Sequence, residues 1–305
     1  MTRMLTAALS AAVALTAGVV ATIGVFARGD GTFVTVTSTR GETYEMAADG
    51  IYRFNAQQVV AEGVGWDAFT LFVAAPALLV AAWLVARGSF RGTLAAGGLL
   101  GYFLYMYLEY AVTWAFGPLF VPFVAIYAGS LVGLVGVAVL VARSGLRDRF
   151  TDRFPRRAWA TLSLGMSALL AVMWGARIGQ ATAGPIDGVL HGETTMTVQA
   201  LDLGLVIPIS AVIAVGALRR HPAGLAAASA FAVTFASMTA AIAAMMVSAS
   251  IVTGELQLAP MIVFGLAAVA GLGIVARMYA SIDPTVARRA ASRPPRSVPA
   301  DVPAG

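Results

Sequence analysis

The sequence predicts an all-α integral membrane bundle of about eight transmembrane helices with a small external β-hairpin. Three observations lead there. Only 11% of the 305 residues are charged and 59% are hydrophobic, with a mean hydropathy of +0.83, whereas soluble domains carry about 25% charged residues. Apolar runs of about 20 residues, the length that crosses a bilayer core, recur near residues 4–26, 66–86, 93–115, 119–142, 158–179, 197–218, 225–252 and 257–279. The arginines are segregated: with the N-terminus inside, the cytoplasmic segments hold 16 of the 20, and only Arg28, Arg40, Arg53 and Arg177 fall outside. The positive-inside rule then puts both termini in the cytoplasm.

The first run, Leu5 to Phe26, exceeds the roughly 7–15 residues of a signal-peptide core, and no small-x-small cleavage site precedes Arg28. It is expected to remain as a span. The external segment, about residues 28–63, contains "FVTVTSTRGETYEM", which alternates apolar and polar residues on both sides of "TRGE" and predicts a β-hairpin. So small a hairpin is marginal alone in water; a lid packed on the helix ends and a plain connecting loop are both open. Residues 93–142 are too long for one span, and "FGPLFVP" (Phe116 to Pro122) supplies the break. Gly97 and Gly101, and Gly129, Gly133 and Gly136, allow close helix packing. The methionines of the last two spans (Met238, Met245, Met246, Met261, Met278) read as packing or lipid-facing. The Pro- and Arg-rich tail, residues 280–305, is expected to be disordered in the cytoplasm beneath a transmembrane domain spanning 1–279.

Two stretches echo each other: "WDAFTLFVAAPALLVAAWLVARGSFRG" in the second span and "LDLGLVIPISAVIAVGALRRHPAG" in the sixth. In each, an Asp opens the stretch, and the proline is followed eleven residues later by Arg and sixteen later by Gly. The Asp-to-Pro distance differs, nine against six. Two parallel four-helix repeats, about 1–142 and 158–279, would produce this; so would chance recurrence of short arginine-glycine turns.

Ionisable groups inside spans are costly and are site candidates by default. Asp67, Glu109, Arg177 and Asp202 qualify. At helical spacing Tyr102, Tyr105 and Glu109 share one face, as do Gln199 and Asp202 on the sixth span. These seven residues are the candidate ligand-binding set. Tyr107, Tyr110 and Trp114 form another stripe, which suits an interfacial aromatic belt. In one reading the set lines a cavity open to the outside that binds a cation or polar small molecule. In the other, Arg177 pairs with Asp202 or Glu109, Asp67 caps its helix, and the tyrosines tie the bundle together.

Other chemistry is excluded or unsupported. There is no cysteine, hence no disulfide or thiolate site. His191 and His221 fall in loops, so no intramembrane bis-histidine haem is expected, and no metal or other cofactor is implied. P-loop, HExxH, G-x-S-x-G and dinucleotide motifs are lacking, and no catalytic residue is assigned. The net charge of +5 reflects the orientation bias and implies no nucleic-acid partner. All basic residues are arginine, which with the Ala, Gly and Val content fits GC-rich coding.

The stretch "GIYRFNAQQVVAEGVGWDAFTLFVAAPALLVAAWLVARGSFRGTLAAGGLLGYFLYMYLEYAV", with "ALDLGLVIP" in the sixth span, resembles a family of bacterial multi-pass membrane proteins without assigned activity. The residues that carry the resemblance are Tyr52, Arg53, Asp67, Arg87, Gly88, Ser89, Arg91, Gly92, Tyr102, Tyr105 and Asp202. Glu109 stands outside the pattern. The resemblance implies a shared fold and no particular chemistry. Three functional classes follow: small-molecule or ion binding and transport at an outward polar cluster; a structural or regulatory membrane subunit acting through the hairpin or basic loops; and an enzyme using Asp67 and Asp202 as an acid/base pair.

Overall fold

In the computed structural model, which describes residues 1–146, 149–184 and 189–282, the chain builds eight long helices and one two-stranded sheet. The helices are α1 (Arg3–Phe26), α2 (Gln57–Ala86), α3 (Phe90–Thr113), α4 (Phe120–Ala142), α5 (Arg156–Ala183), α6 (Thr197–Leu218), α7 (Pro222–Thr253) and α8 (Leu258–Ala280). Seven are long and apolar enough to cross a membrane. The eighth, α3, is as long as α1 but is the tyrosine-rich helix that carries Arg91 and Glu109. Valines and isoleucines such as Val121, Val172, Val212 and Ile251 project exposed from the outer face, a surface suited to lipid rather than water. The tail beyond Ile282 lies outside the described residues, as do residues 147 and 148 of the arginine-rich loop and residues 185–188.

Seven helices begin within a few residues of the hydropathy runs, but α2 starts at Gln57, not at residue 66. Its first turns, "QQVVAEGVGWDAF", contain Gln57, Gln58 and Glu62 and are not apolar enough to be read as membrane-spanning. They are held by packing on α1 and α7, where a Cβ at Gly65 would overlap the Ala244 carbonyl. Asp67 is therefore an interior residue of a 30-residue helix rather than its cap.

Both α2 and α6 contain a five-residue π-helical segment, Thr70–Ala74 and Asp202–Val206, which ends two residues before Pro76 and Pro208. The Ala75 N–H reaches the Thr70 carbonyl, and the Ile207 N–H reaches that of Asp202. A proline has no N–H, and its ring collides with the carbonyl four residues back; widening the preceding turn relieves both.

The turns after α2 and α6 also match. Arg87, Gly88 and Ser89 donate to Trp83, Val85 and Leu84; Arg219, Arg220 and His221 donate to Val215, Ala217 and Gly216, each 132 residues further on. Gly88 adopts the left-handed conformation (φ 77°) that glycine accepts freely, and Arg220 takes it too (φ 55°) at some cost. Packing follows the same scheme: α1 on α2 and α5 on α6, α2 on α3 and α6 on α7, α3 on α4 and α7 on α8, α1 on α4 and α5 on α8. The halves join through α7, which lies against both α2 and α3, and α3 meets it closely at Gly98 and Ala230, again 132 apart. A Cβ on Gly98 would overlap the Ala230 carbonyl, and Thr234 Oγ1 donates to the Gly98 carbonyl at 2.7 Å.

Between α1 and α2 stands the hairpin, β1 (Phe33–Thr37) antiparallel to β2 (Thr43–Ala47), in register from Phe33 opposite Ala47 to Thr37 opposite Thr43. The largest core cluster gathers α1 to α4 around Leu78, Leu100, Tyr102, Phe103, Met106, Tyr107 and Tyr110. A second, around Trp159, Ala228 and Met278, holds α5 to α8.

Candidate functional site

A cavity of about 1530 Å³ separates the halves, walled by α2, α3 and α4 on one side and by α5, α6, α7 and α8 on the other. Toward the turn after α4 its lining is apolar: Leu94, Val137, Val141 and Ala142. At the hairpin end it turns polar, with Gln58, Glu62, Tyr105, Glu109, Trp174, Arg177, Gln199 and Asp202, and with residues of the α5–α6 loop including His191 and Glu193.

Helix geometry explains how the polar residues arrive there. Gln58, Glu62 and Trp66 are spaced by four on α2, and Tyr105 and Glu109 by four on α3. On α5, Ser163, Ser167, Leu170, Trp174 and Arg177 follow each other at three or four, and all of these line the cavity. Asp202 is the first residue of the π segment of α6, and it is fully engaged. Tyr105 Oη donates to its Oδ1 at 2.5 Å and Trp174 Nε1 to its Oδ2 at 2.8 Å, linking α3, α5 and α6. Gln58 Nε2 donates to Glu62 Oε1 at 2.6 Å. Glu109 differs: only 6% exposed, it leaves Oε2 without a partner, and the indole N–H of Trp66 beside the same cavity is also unpartnered. Arg177 donates to the Val189 carbonyl at 2.6 Å, and its Nε has no partner.

Of the seven residues singled out in the sequence, five meet at this cavity: Tyr105, Glu109, Arg177, Gln199 and Asp202. Tyr102 and Asp67 do not line it. Asp67 is sealed at 0% exposure between α1, α2, α3 and the segment that joins α1 to α2, accepting from Tyr52 Oη at 2.5 Å and from Tyr110 Oη at 3.5 Å. Tyr102 Oη is hydrogen-bonded to Thr70 Oγ1 at 2.7 Å. The acid/base pair of Asp67 with Asp202 is thus not formed. Nor is the ion pair of Arg177 with Asp202 or Glu109: among the described residues the single salt bridge joins Arg220 to Asp152.

The aromatic belt is corrected as well. Tyr107 and Tyr110 are buried in the core, and Trp114 packs on Tyr52 and Tyr110 with ring centroids 4.4 and 4.3 Å away. In a helix surrounded by others, an aromatic stripe faces protein as readily as headgroups, and α3 is covered by α2, α4 and α7. Among the methionines, Met238, Met245 and Met246 border the cavity, while Met278 is buried in the core.

The hairpin caps the polar end. Glu42, in its turn, accepts backbone N–H bonds from Leu190, His191 and Gly192 at 3.2, 2.8 and 2.9 Å, and Arg40 donates to the Thr194 carbonyl at 3.2 Å. The ring of Tyr44 occupies the space where a Cβ on Gly192 would stand. Burial pushes the Glu42 carboxyl up, but the three backbone donors together with His191 outweigh it and hold its pKa below the ordinary value. Burial pushes Glu193 up to about 7, against the pull of Arg177, with Glu62 and Glu42 adding to the rise. Burial and Arg177 lower His191, against Glu42.

Glu62, Trp66, Trp174 and Glu193 escaped the sequence reading. The first three carried a signal in their helical spacing, once α2 is extended to Gln57 and α5 is read from Ser163 to Arg177. Glu193, in a loop, carried none. Among the described residues no group of three His, Cys, Asp or Glu side chains is arranged to hold a metal ion. No family model, curated protein or solved structure matches this chain.

Proposed function

We propose that the chain is an eight-span protein of a bacterial plasma membrane, with both termini cytoplasmic and built from two parallel repeats, that binds and transports a small molecule or ion through the cavity between its halves. The observation that carries the reading is Glu109, a buried carboxyl with an unpartnered oxygen, on a large cavity that also receives Tyr105, Gln199, Asp202 and Arg177. Leaving such an oxygen unsatisfied costs about 1–3 kcal/mol or more, a cost that a ligand or water removes. The paired π segments and prolines at equivalent places in α2 and α6 give each half a point where a helix can bend, as rocking of one repeat against the other requires. Arginine placement supports the orientation, and the 24-residue length of α3 and its packing among α2, α4 and α7 support an eighth crossing.

The chain contains no cysteine, so single introduced cysteines report directly. In intact cells a membrane-impermeant thiol reagent is expected to label a cysteine placed at position 109 or 202, and at exposed Arg40 as a control, while position 67 stays protected. Protection at 109 and 202 beside a labelled position 40 would show the cavity closed to the outside and remove the basis of the reading.

A further inference from the structure

The cavity has a chemical polarity of its own, which bears on what it takes. Resting on the cavity reading above, we propose that its ligand is an amphipathic amine, with the ammonium head at Glu109 and the alkyl body along the apolar barrel.

Four observations converge. Acidic side chains outnumber arginine at the polar end: Glu62, Glu109, Glu193 and Asp202 against Arg177. Among them the buried oxygen left without a partner belongs to Glu109. Both oxygens of Asp202 are occupied by Tyr105 and Trp174, and Glu62 is engaged by Gln58, whereas Glu109 Oε2 has no partner and the residue is only 6% exposed. A carboxylate removed from water needs a cation or several donors, and an ammonium supplies both charge and donors. Trp66, Trp174 and Tyr105 border the same end, the aromatic company that alkylammonium heads favour. Finally, at about 1530 Å³ the cavity exceeds the roughly 300–1,000 Å³ of ordinary small-molecule sites. Its remaining wall is aliphatic, as with Leu131, Leu134, Val137 and Leu170. An inorganic ion has no use for that barrel, and no metal-holding group of three ligands occurs among the described residues. A carboxylate amphiphile would have to bind at Arg177, amid four acids.

Trp66 and Trp174 are built-in reporters, and Trp83, which is exposed on the outer face, is replaced by Phe to remove a lipid-facing signal. The full chain in phosphatidylcholine nanodiscs is titrated with a long-chain ω-bromoalkylamine, the matching bromoalcohol and the matching bromoalkanoate, reading bromine quenching of tryptophan fluorescence. The amine is expected to quench saturably at a concentration at least about tenfold below either analogue, an advantage of ~1.4 kcal/mol. Non-brominated alkylamine should displace it, and Glu109→Gln should abolish the advantage. The comparison of amine with alcohol on the unmutated cavity stands whether or not the variant folds. Equal saturable quenching by all three probes overturns the amine assignment while leaving the cavity reading intact, and preference for the alkanoate overturns it in favour of Arg177. Saturable quenching by none of them defeats the cavity reading itself. Nanodiscs containing phosphatidylethanolamine identify the source. Weakened amine quenching there marks a membrane aminolipid as the ligand, and unchanged quenching marks a single-chain amine; either supports the amine head.

Discussion

At the scale of single residues, the four tyrosines of α3 are fasteners that reach three neighbouring helices. Tyr102 binds Thr70 of α2, Tyr105 binds Asp202 of α6, Tyr107 reaches the Ala17 carbonyl of α1 at 3.4 Å, and Tyr110 reaches the Gly63 carbonyl at 3.3 Å and Asp67. In a setting where apolar surface gives helices little reason to prefer each other over lipid, such bonds and close packing carry the association. The shortest bond to a sealed carboxyl is that of Tyr52 to Asp67, next to Gly24, whose missing Cβ leaves room for both. Removing the Tyr52 hydroxyl leaves Asp67 with one long bond from Tyr110. Tyr52→Phe is therefore expected to destabilise the protein by about 1–3 kcal/mol, read as a lowered thermal midpoint in detergent. Thiol labelling of a cysteine placed at position 105 should be the same with and without Tyr52→Phe, because Asp67 does not line the cavity. A variant that keeps its midpoint but changes the labelling would place Asp67 in the site after all. Helical spacing alone paired Tyr105 with Glu109 on one face and brought Gln199 and Asp202 together. It could not separate Tyr102 from that face, because Tyr102 lies only about 60° around the helix from Tyr105, yet that is enough to cross from cavity to core.

At the scale of elements, hydropathy located every helix but shortened α2, whose first turns are stabilised by neighbours rather than by apolar content. The alternation around "TRGE" likewise showed the hairpin but not its docking, because Glu42 is bound by backbone N–H groups of a loop some 150 residues away, and backbone donors carry no sequence signature. That docking latches the hairpin onto the α5–α6 loop, whose His191 and Glu193 line the polar end of the cavity. Its pH dependence follows from Glu42. With a native pKa below the ordinary 4.5, its contribution is complete above the unfolded value and lost as the pH falls through the native one. His191 faces Glu42 and gains charge in acid, which opposes the loss, and Glu193, protonated below about 7, is already neutral in that range. Hydrogen exchange reads this directly. Protection of the Leu190, His191 and Gly192 amides is expected to be high at neutral pH and to fall in acid. Glu42→Gln should lower it several-fold at neutral pH and flatten its pH response. Equal protection in both proteins at all pH values would mean that the loop is held by other contacts and that Glu42 is no latch.

At the scale of the whole molecule, the question is what the 132-residue correspondence means physically. The prolines, the π segments, the turn hydrogen bonds and the packing scheme agree between the halves, while the side chains that make the site do not. Thr70 stands where the second half has Asp202, and Gln199 where the first has Asp67. The nine-against-six mismatch of the two aspartates is thereby resolved: they are not equivalent residues. Each half has a core cluster, the first also taking in Ala241 of α7, and α7 lies against both α2 and α3, meeting α3 at Gly98 and Ala230. If the halves are folding units, the connection between α4 and α5 serves only to tether them. Co-expressed as separate chains, residues 1–147 and 148–305 are expected to insert with four crossings each and to co-purify as one complex. Gly98→Leu in the first fragment should then abolish co-purification while leaving that fragment inserted, because a leucine side chain cannot fit against the α7 backbone and such overpacking costs about 1–3 kcal/mol or more. Fragments that insert yet never associate, with or without Gly98→Leu, would show that α3 and α7 meet only because the covalent link holds them together. The cavity between the halves would then be a passive gap rather than a site closed by two partners that recognise each other.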